Sequence, residues 1–454
     1  MGRQGEDYDL IVVGGGPAGA SVATFVAMRG HRVLLLEADH FPRYHIGESL
    51  IPATIHGVCR LLGVKEEIEA AGFVRKGGAI LRWGAGNELW QLRFADARAL
   101  ARNGAEYAFQ VERSRFDTIL LRNAARKGVD VREGHRVIAP LWAGERIAGV
   151  RYEAEDGTMA EATGRIVADA SGFHSPLQKH IGERQYSQFF QNVALFGYFE
   201  NAGRLPAPND GDILTEAFAE GWMWHIPLTS GPPFLSSVGA VIDRHLAEQL
   251  QGDHEAALQR FIASCPHLSR LLGDARRVTE GPYGPIRVLK DWTYTTSQFW
   301  RPGAVLIGDA ACFIDPVLST GVHLATNGGL LAAQSINTFL SGKRAEADCF
   351  AVYEKRYRVE YEILYNFLIG FYDMQATRDS YYWSARQILG SEEQGNEAFV
   401  RLVSGSASEP ERYWQARAEL GDDFQRISSA ANGGGVAHGD MIKAVMGRLE
   451  LNGS

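Results

Sequence analysis

The chain has 454 residues, 45% hydrophobic and 22% charged, a balance that excludes a disordered or collagen-like protein and suits two or three folded domains, or one large domain with an insertion. Lys and Arg number 46 against 54 Asp and Glu, a net charge of −8, which counts against a nucleic-acid partner held through its phosphates. Cys59, Cys265, Cys312 and Cys349 are widely spaced and the 13 histidines form no ligand pattern, so neither a disulfide framework nor a metal site is expected. No uncharged apolar run reaches the roughly 18 residues of a membrane span. The acidic, polar start MGRQGEDYDL does not read as a secretory signal. A cytoplasmic location without membrane contact is expected.

Residues 8–13 (YDLIVV) form a short apolar run of the kind a buried parallel strand has. GGGPAGA follows, then an Ala-rich helical pattern over 17–29 with Gly30 at its stop. Residues 31–37 (HRVLLLE) read as a second buried strand ending in Glu37. Together these make a β-α-β unit with a right-handed crossover. Gly14-x-Gly16-x-x-Gly19 occupies the strand-to-helix turn, and Glu37 lies 21 positions after Gly16. Gly14 permits the tight turn, Gly16 lets backbone approach a pyrophosphate, and Gly19 lets helix and strand pack closely. The helix N-terminus offers free N–H groups to the anion, and Glu37 can accept from a ribose hydroxyl pair. A dinucleotide is therefore the expected ligand; a purely structural glycine turn has no use for Glu37.

Residues 113–127 read as a helix closed by Gly128, and 147–154 with 159–168 as a hairpin around Asp156-Gly157. From 185 to 297 strand-like runs alternate with Pro/Gly loops. GAVLIGD (303–309) is another buried strand, and a helix should run from near Gly321 to about Leu340. Residues 350–420 read as largely helical and aromatic-rich, and SSAANGGGVAHG (428–439) as loose.

Two segments bear on which dinucleotide is bound. Arg113-x-x-Phe116-Asp117 opens a helix, and GDAACFIDP (308–316) links a strand to a helix. With the glycine string they resemble the FAD-dependent aromatic monooxygenase superfamily, over most of residues 8–340. The resemblance implies FAD, with Gly308 and Asp309 at its ribityl and pyrophosphate part and Asp315-Pro316 beside the isoalloxazine ring. It implies Arg113 along the FAD channel, and further contacts from Ala18, Arg43, Ser49, Gly321 and Val322. DASG (169–172) matches the strand-end segment that joins the FAD region. The implied fold class is α/β: a Rossmann-like FAD-binding fold of the glutathione-reductase type in two parts, 1–184 and 298–345. Between them lies an inserted antiparallel-sheet substrate region at 185–297, and a mostly helical region follows at 346–454. A helix N-terminus at Gly321 suits reduced flavin, whose negative charge the helix N–H groups would stabilise by about 0.3–1 kcal/mol.

FPRYHIGESLIP (41–52), GWMWHIP (221–227) and DPVLSTGVHLA (315–325) sharpen the reading. Together they resemble the flavin-dependent halogenases, whose W-x-W-x-I-P signature is here Trp222-x-Trp224-x-Ile226-Pro227. PRYHIGESL is most similar to the branch acting on pyrroles, phenols and tyrosyl groups, often tethered to an acyl or peptidyl carrier protein. The resemblance implies a separate reductase supplying FADH2, with O2 and chloride or bromide as co-substrates. Hypohalous acid formed at the flavin would travel through a tunnel to a catalytic lysine, assigned to Lys76 in FVRKGGAILRWG; Lys65 and Lys127 fit less well. Halide would sit on the backbone at Ser319, Thr320 and Gly321. Trp222 and Trp224, two apart on one strand face, would form a wall between flavin and substrate.

Each assignment has an ordinary counterpart. A lysine is usually a solvated surface residue, a tryptophan pair is usually core, and Ser or Thr before a helix is usually its cap. Aromatics over 361–386 read as core, or as a lid on the substrate pocket. The tryptophan-acting branch carries a Glu where this chain has Leu318, which argues against free tryptophan. The runner-up activity is a flavin hydroxylase or related flavin reductase of the same superfamily. A flavin-binding scaffold without turnover is a reading that nothing in the sequence favours.

Overall fold

The computed structural model describes residues 7–393 and 395–406; the segment at 428–439 and the helical expectation for 407–420 lie outside them. Tyr8–Val13 and Val33–Leu36 are apolar runs, and they pair in parallel with Leu10 opposite Val33 and Val13 opposite Leu36. Tyr8–Val13 also pairs in parallel with Met159–Asp169, which in turn pairs with Ala304–Leu306. Asp130–Arg132 joins on the other side, beside Val33–Leu36. The strand order is thus 304–306, 159–169, 8–13, 33–36, 130–132, with antiparallel Trp300–Arg301 at the edge. The sheet is complete only once the chain returns at Ala304.

Helix Pro17–Ala27 begins with proline at its first turn and stops two residues before the pattern predicts, ahead of Gly30 at φ 82°. Helix Gly321–Leu340 lies across it so closely that a Cβ on Gly329 would stand 2.9 Å from the Ala18 carbonyl oxygen. Helix Arg113–Arg126 ends before Gly128, whose φ is 93°. Arg146–Glu153 and Met159–Asp169 form the expected hairpin, Glu153 opposite Met159 and Gly157 at φ 80°.

A second sheet runs 312–313, 287–296, 184–200, 236–243, 221–227, 213–218, 78–82, 90–93. It draws strands from outside the 185–297 segment. Gly78–Arg82 pairs in parallel with Ile213–Phe218, and Cys312–Phe313 pairs with Arg287–Thr296. Alternation along the strands splits this sheet into two apolar faces. Leu195, Met223, Val238 and Ala240 face one core, closed by helices His254–Ala263 and Pro266–Leu271. Phe196, Tyr198, Trp222 and Trp224 face the other, which is continuous with the core of the parallel sheet. Helices Glu346–Phe371, Arg378–Leu389 and Glu397–Val403 pack into that same core. Among the described residues no helix is long and apolar enough to cross a membrane.

Candidate active site

The glycine turn has the shape its spacing predicts. Gly14 has φ 95°, and a Cβ there would stand 2.7 Å from the Ala170 carbonyl oxygen, within the 169–172 segment. On Gly19 a Cβ would stand 1.9 Å from the Gly14 carbonyl oxygen, so the helix can lie against the turn only because position 19 has no side chain. Gly16 is different, for its nearest neighbour is Arg43 Nη2, at 3.4 Å. Backbone N–H groups, a guanidinium and a helix start with no acidic residue in its first turn therefore converge on Gly16, a cradle of the right sign for a pyrophosphate. Glu37 is buried; its Oε2 accepts the Gly15 amide at 2.5 Å and its Oε1 the Asp39 amide at 2.8 Å. Each oxygen keeps acceptor capacity for a hydroxyl. Gly308, at φ 64°, brings the Gly-Asp turn onto the same helix, its virtual Cβ 3.1 Å from that of Ala18.

Arg113 and Asp117 are one helical turn apart and form a buried bidentate pair, 2.7 Å for Nε to Oδ1 and 2.9 Å for Nη2 to Oδ2. Arg113 Nη1 also donates to the Ile46 carbonyl at 2.6 Å, and Arg43 Nη1 reaches Asp117 at 3.2 Å. The pair thereby fastens the 41–52 segment to the helix. Burial pushes the Asp117 carboxyl up, but Arg113 and Arg43 more than reverse this and leave it below the usual carboxylate range. Burial carries Asp309 up to about 6 against the pull of Arg113 and Arg184.

Beyond the Gly-Asp turn, Asp315 caps the short turn Pro316–Leu318, accepting from the Val317 amide at 3.1 Å. Its carboxylate also accepts from Asn192 at 2.9 Å and from the Tyr372 hydroxyl at 2.8 Å. Ser319 follows at φ 60°, a left-handed conformation unusual for a residue with a side chain. Thr320 is fully buried, yet among the described residues its hydroxyl has no hydrogen-bond partner, and it does not cap helix Gly321–Leu340. The cap reading of Thr320 is thus not what the structure has. Leaving such a hydroxyl unpaired costs about 1–3 kcal/mol. A Cβ on Gly321 would meet nothing within 4 Å, and Val322 follows, buried. The helix start combines free N–H groups, an unused hydroxyl and open space, which suits an anion or the pole of a flavin ring.

Lys76 ends strand Val74–Lys76 and is only 3% exposed, so it is not the solvated lysine that composition suggests. Its Nζ donates to Ser49 Oγ at 2.8 Å and to the Leu50 carbonyl at 3.0 Å. Burial lowers its pKa to about 7, with nearby Asp212 pulling it back up. Asp212 is itself engaged by the amides of Gly77 and Gly78, at 2.7 and 2.8 Å. Ser49, open in sequence between bonding and capping, is the partner of Lys76. Lys65 is instead paired with Glu69 at 2.8 Å.

Trp222 and Trp224 are buried on one strand face, their ring centroids 6.0 Å apart. Trp222 Nε1 donates to the Tyr372 hydroxyl at 2.7 Å, and Trp224 Nε1 to Ser237 Oγ at 3.1 Å. Gly239 lies opposite Trp224, and a Cβ there would stand 2.4 Å from the indole. Sequence reasoning assigned no site role to Tyr372, Trp83 or Asn192. Trp83 stacks on Phe371 with centroids 4.9 Å apart and meets Trp222 edge-on at 6.2 Å. Its signal was proximity to Lys76 in the same short string. Tyr372 lay within the aromatic stretch 361–386, where helical spacing does not say which ring turns toward a sheet; Phe367, Phe371 and Tyr381 of that stretch are core. His323 is buried, and burial holds its pKa down at about 4. Among the described residues no cluster fit to hold a metal occurs.

The family model described as "Tryptophan halogenase" matches residues 9–105 and 96–422. The tryptophan 2-halogenase of Chondromyces crocatus is 34% identical over 409 residues, 87% of this chain and 75% of its own length. The flavin-dependent halogenase armH3 of Armillaria mellea is 30% identical over 451 residues, 93% of this chain and 86% of its own. Among solved structures, the myxobacterial chondrochloren halogenase CndH, described as a new variant of FAD-dependent halogenases, is 52% identical with a TM-score of 0.79, covering 93% of this chain and 95% of that one. Similarity of this extent, spanning both sheets and every segment of the site, means that the chain belongs to the tryptophan halogenase family of flavin-dependent halogenases.

Proposed function

We propose that this enzyme places chlorine or bromine on an electron-rich phenolic or pyrrolic ring presented by a carrier protein, in secondary-metabolite biosynthesis. As a flavin-dependent halogenase it uses reduced FAD, O2 and halide, and enzymes of its family generally need a separate flavin reductase. Reduced FAD, when bound, would supply two of the four electrons that O2 takes up, the halide giving the other two as it becomes the electrophile. In this reading the residues that hold FAD are Gly14, Gly16, Ala18, Gly19, Glu37, Arg43, Ser49, Arg113, Gly308, Asp309, Pro316, Gly321 and Val322. Ser319, Thr320 and Gly321 hold the halide, and Trp222 with Trp224 separates substrate from the oxidising site.

The observation that carries the halogen-transfer step is the state of Lys76. A neutral amine has two N–H bonds, and Ser49 and Leu50 take two donors from Nζ, which leaves the lone pair free. With its pKa lowered to about 7, the amine is available at neutral pH. It takes the halogen from hypohalous acid with release of water, then passes it to the ring carbon and recovers the ring proton. A second reading rests on the Chondromyces crocatus relative, whose name specifies tryptophan; the ring would then be an indole. The Leu318 position favours the phenol or pyrrole.

Mass spectrometry tests this directly. Reduced FAD and O2 are supplied with chloride, bromide or no halide, against phenols, pyrroles and tryptophan, free and carrier-bound. The expected result is a halide-dependent mass gain with a halogen isotope pattern on carrier-bound phenol or pyrrole. The same gain on free tryptophan supports the second reading, and gain of one oxygen regardless of halide overturns both.

A further inference from the structure

Halogenation of an aryl C–H by FADH2, O2 and halide yields FAD, the aryl halide and two waters. O2 accepts four electrons, two from the reduced flavin and two from the halide as it becomes the electrophile. The hydrogens balance only if at least one further proton enters per turnover: one from solvent when the flavin starts as neutral FADH2 and two when it starts as the anion, the rest coming from the flavin and the ring. A site closed against water needs a route for that proton.

We propose that Tyr44, Tyr198 and Glu48 form that route. Tyr44 is half-buried on the 41–52 segment, and its hydroxyl lies 2.7 Å from that of Tyr198. Tyr198 is fully buried, and its hydroxyl donates to Glu48 Oε1 at 2.7 Å. Glu48 is 2% exposed. The next residue, Ser49, holds the Lys76 amine. Ser237, directly opposite Tyr198 on the neighbouring strand, holds the Trp224 indole. The inner end of the chain therefore reaches the serine that holds the Trp224 indole, and lies one residue along the chain from the serine that holds the Lys76 amine.

The three groups are ordered for inward transfer. With Glu48 ionised, Tyr198 donates to it and Tyr44 can donate to Tyr198, so a proton arriving at Tyr44 shifts the chain by one bond and appears on Glu48. Both tyrosines stay neutral carriers, because burial pushes Tyr44 up to about 12 and Tyr198 higher still. Burial brings Glu48 up to about 7, Glu112 adding to this, while the Tyr198 and Ser237 hydroxyls and Arg113 pull it down. Glu48 can thus both take and release a proton near neutral pH. Tyr283 packs on Tyr198 at 4.6 Å but turns its hydroxyl to Glu112 at 3.3 Å. Arg287 covers the Tyr44 ring at 3.9 Å.

The route rests on the family's reaction and not on the substrate, so its test is separate from the substrate assay. Tyr198→Phe and Tyr44→Phe keep both rings and remove the hydroxyls. The first readout needs no turnover: in protein loaded with oxidised FAD, the infrared carboxyl band lost in Glu48→Gln is followed after a light-triggered pH jump. The expected result is a band response slowed at least about tenfold in both tyrosine variants, with FAD stoichiometry unchanged and the fold retained at the temperature of the assay. Turnover should fall about 100-fold, with a larger solvent deuterium effect and an unchanged halide KM. A band that responds as fast in both variants as in the wild type overturns the proposal. Because Tyr44→Phe breaks the chain without touching Glu48, it decides the matter should Tyr198→Phe fold poorly.

Discussion

In the role proposed for it, Lys76 trades stability for chemistry. A lysine at 3% exposure with two hydrogen bonds is strained toward its neutral form by burial. The sign follows. The folded pKa of about 7 lies below the ordinary 10.5, so between those values the unfolded chain binds more protons and stability rises with pH; below about 7 the penalty is complete. Lys76→Met removes a costly ammonium and leaves Ser49 and Leu50 without a donor, a smaller loss. We expect Lys76→Met to gain about 2 kcal/mol at pH 6, to lose the alkaline rise in stability, and to bind FAD without forming halogenated product. Calorimetry across pH checks the first two. A lower melting temperature at pH 6 would show that the two hydrogen bonds outweigh desolvation. In the wild type, product formation should rise with pH through about 7 if the amine is the carrier, and fall if the ammonium is.

Among elements, the joint between strand Gly221–Pro227, the end of helix Glu346–Phe371 and the Pro316–Leu318 turn is the most exposed to test. One hydroxyl, that of Tyr372, accepts from Trp222 and donates to Asp315. It ties Trp222, proposed as part of the wall, to the turn that leads into Ser319–Gly321. Tyr372→Phe keeps the ring among Trp83, Phe190 and Trp222 but removes both bonds. Leaving a buried indole N–H and part of a buried carboxylate unpaired should cost about 1–3 kcal/mol. With the turn and wall loosened, more hypohalous acid should escape to a soluble trap per product formed. Coupling equal to that of the wild type would limit the hydroxyl to a packing role.

For the whole molecule, the continuous core is the decisive feature. The parallel sheet, the tryptophan face of the second sheet and the C-terminal helices share one apolar cluster. The strand Ala304–Leu306 and helix Gly321–Leu340 complete the nucleotide-binding unit only after the second sheet has been traversed. We therefore expect the apoprotein to unfold in one transition, with near-ultraviolet dichroism of the tryptophans and far-ultraviolet dichroism of the backbone coinciding. Two separated transitions would mean that the second sheet is an independent folding unit. That the Gly14–Gly19 turn, the Gly308-Asp309 turn and helix Gly321–Leu340 were legible in the chain has a common cause. Each depends on a few adjacent residues: a glycine where a Cβ would collide, an apolar run, a helix start. The pairing of Lys76 with Ser49, of Trp222 with Tyr372 and of Tyr198 with Glu48 was not legible, since the last two join residues 150 positions apart. The amino-acid sequence by itself determined the local turns, the runs that become strands and the family they belong to, because sterics and apolar patterning act over a few residues. Only the tertiary structure decided which polar atoms meet and which lose their water, because strand partners are chosen by packing on two faces, and a pKa moves only when the closed core removes solvent.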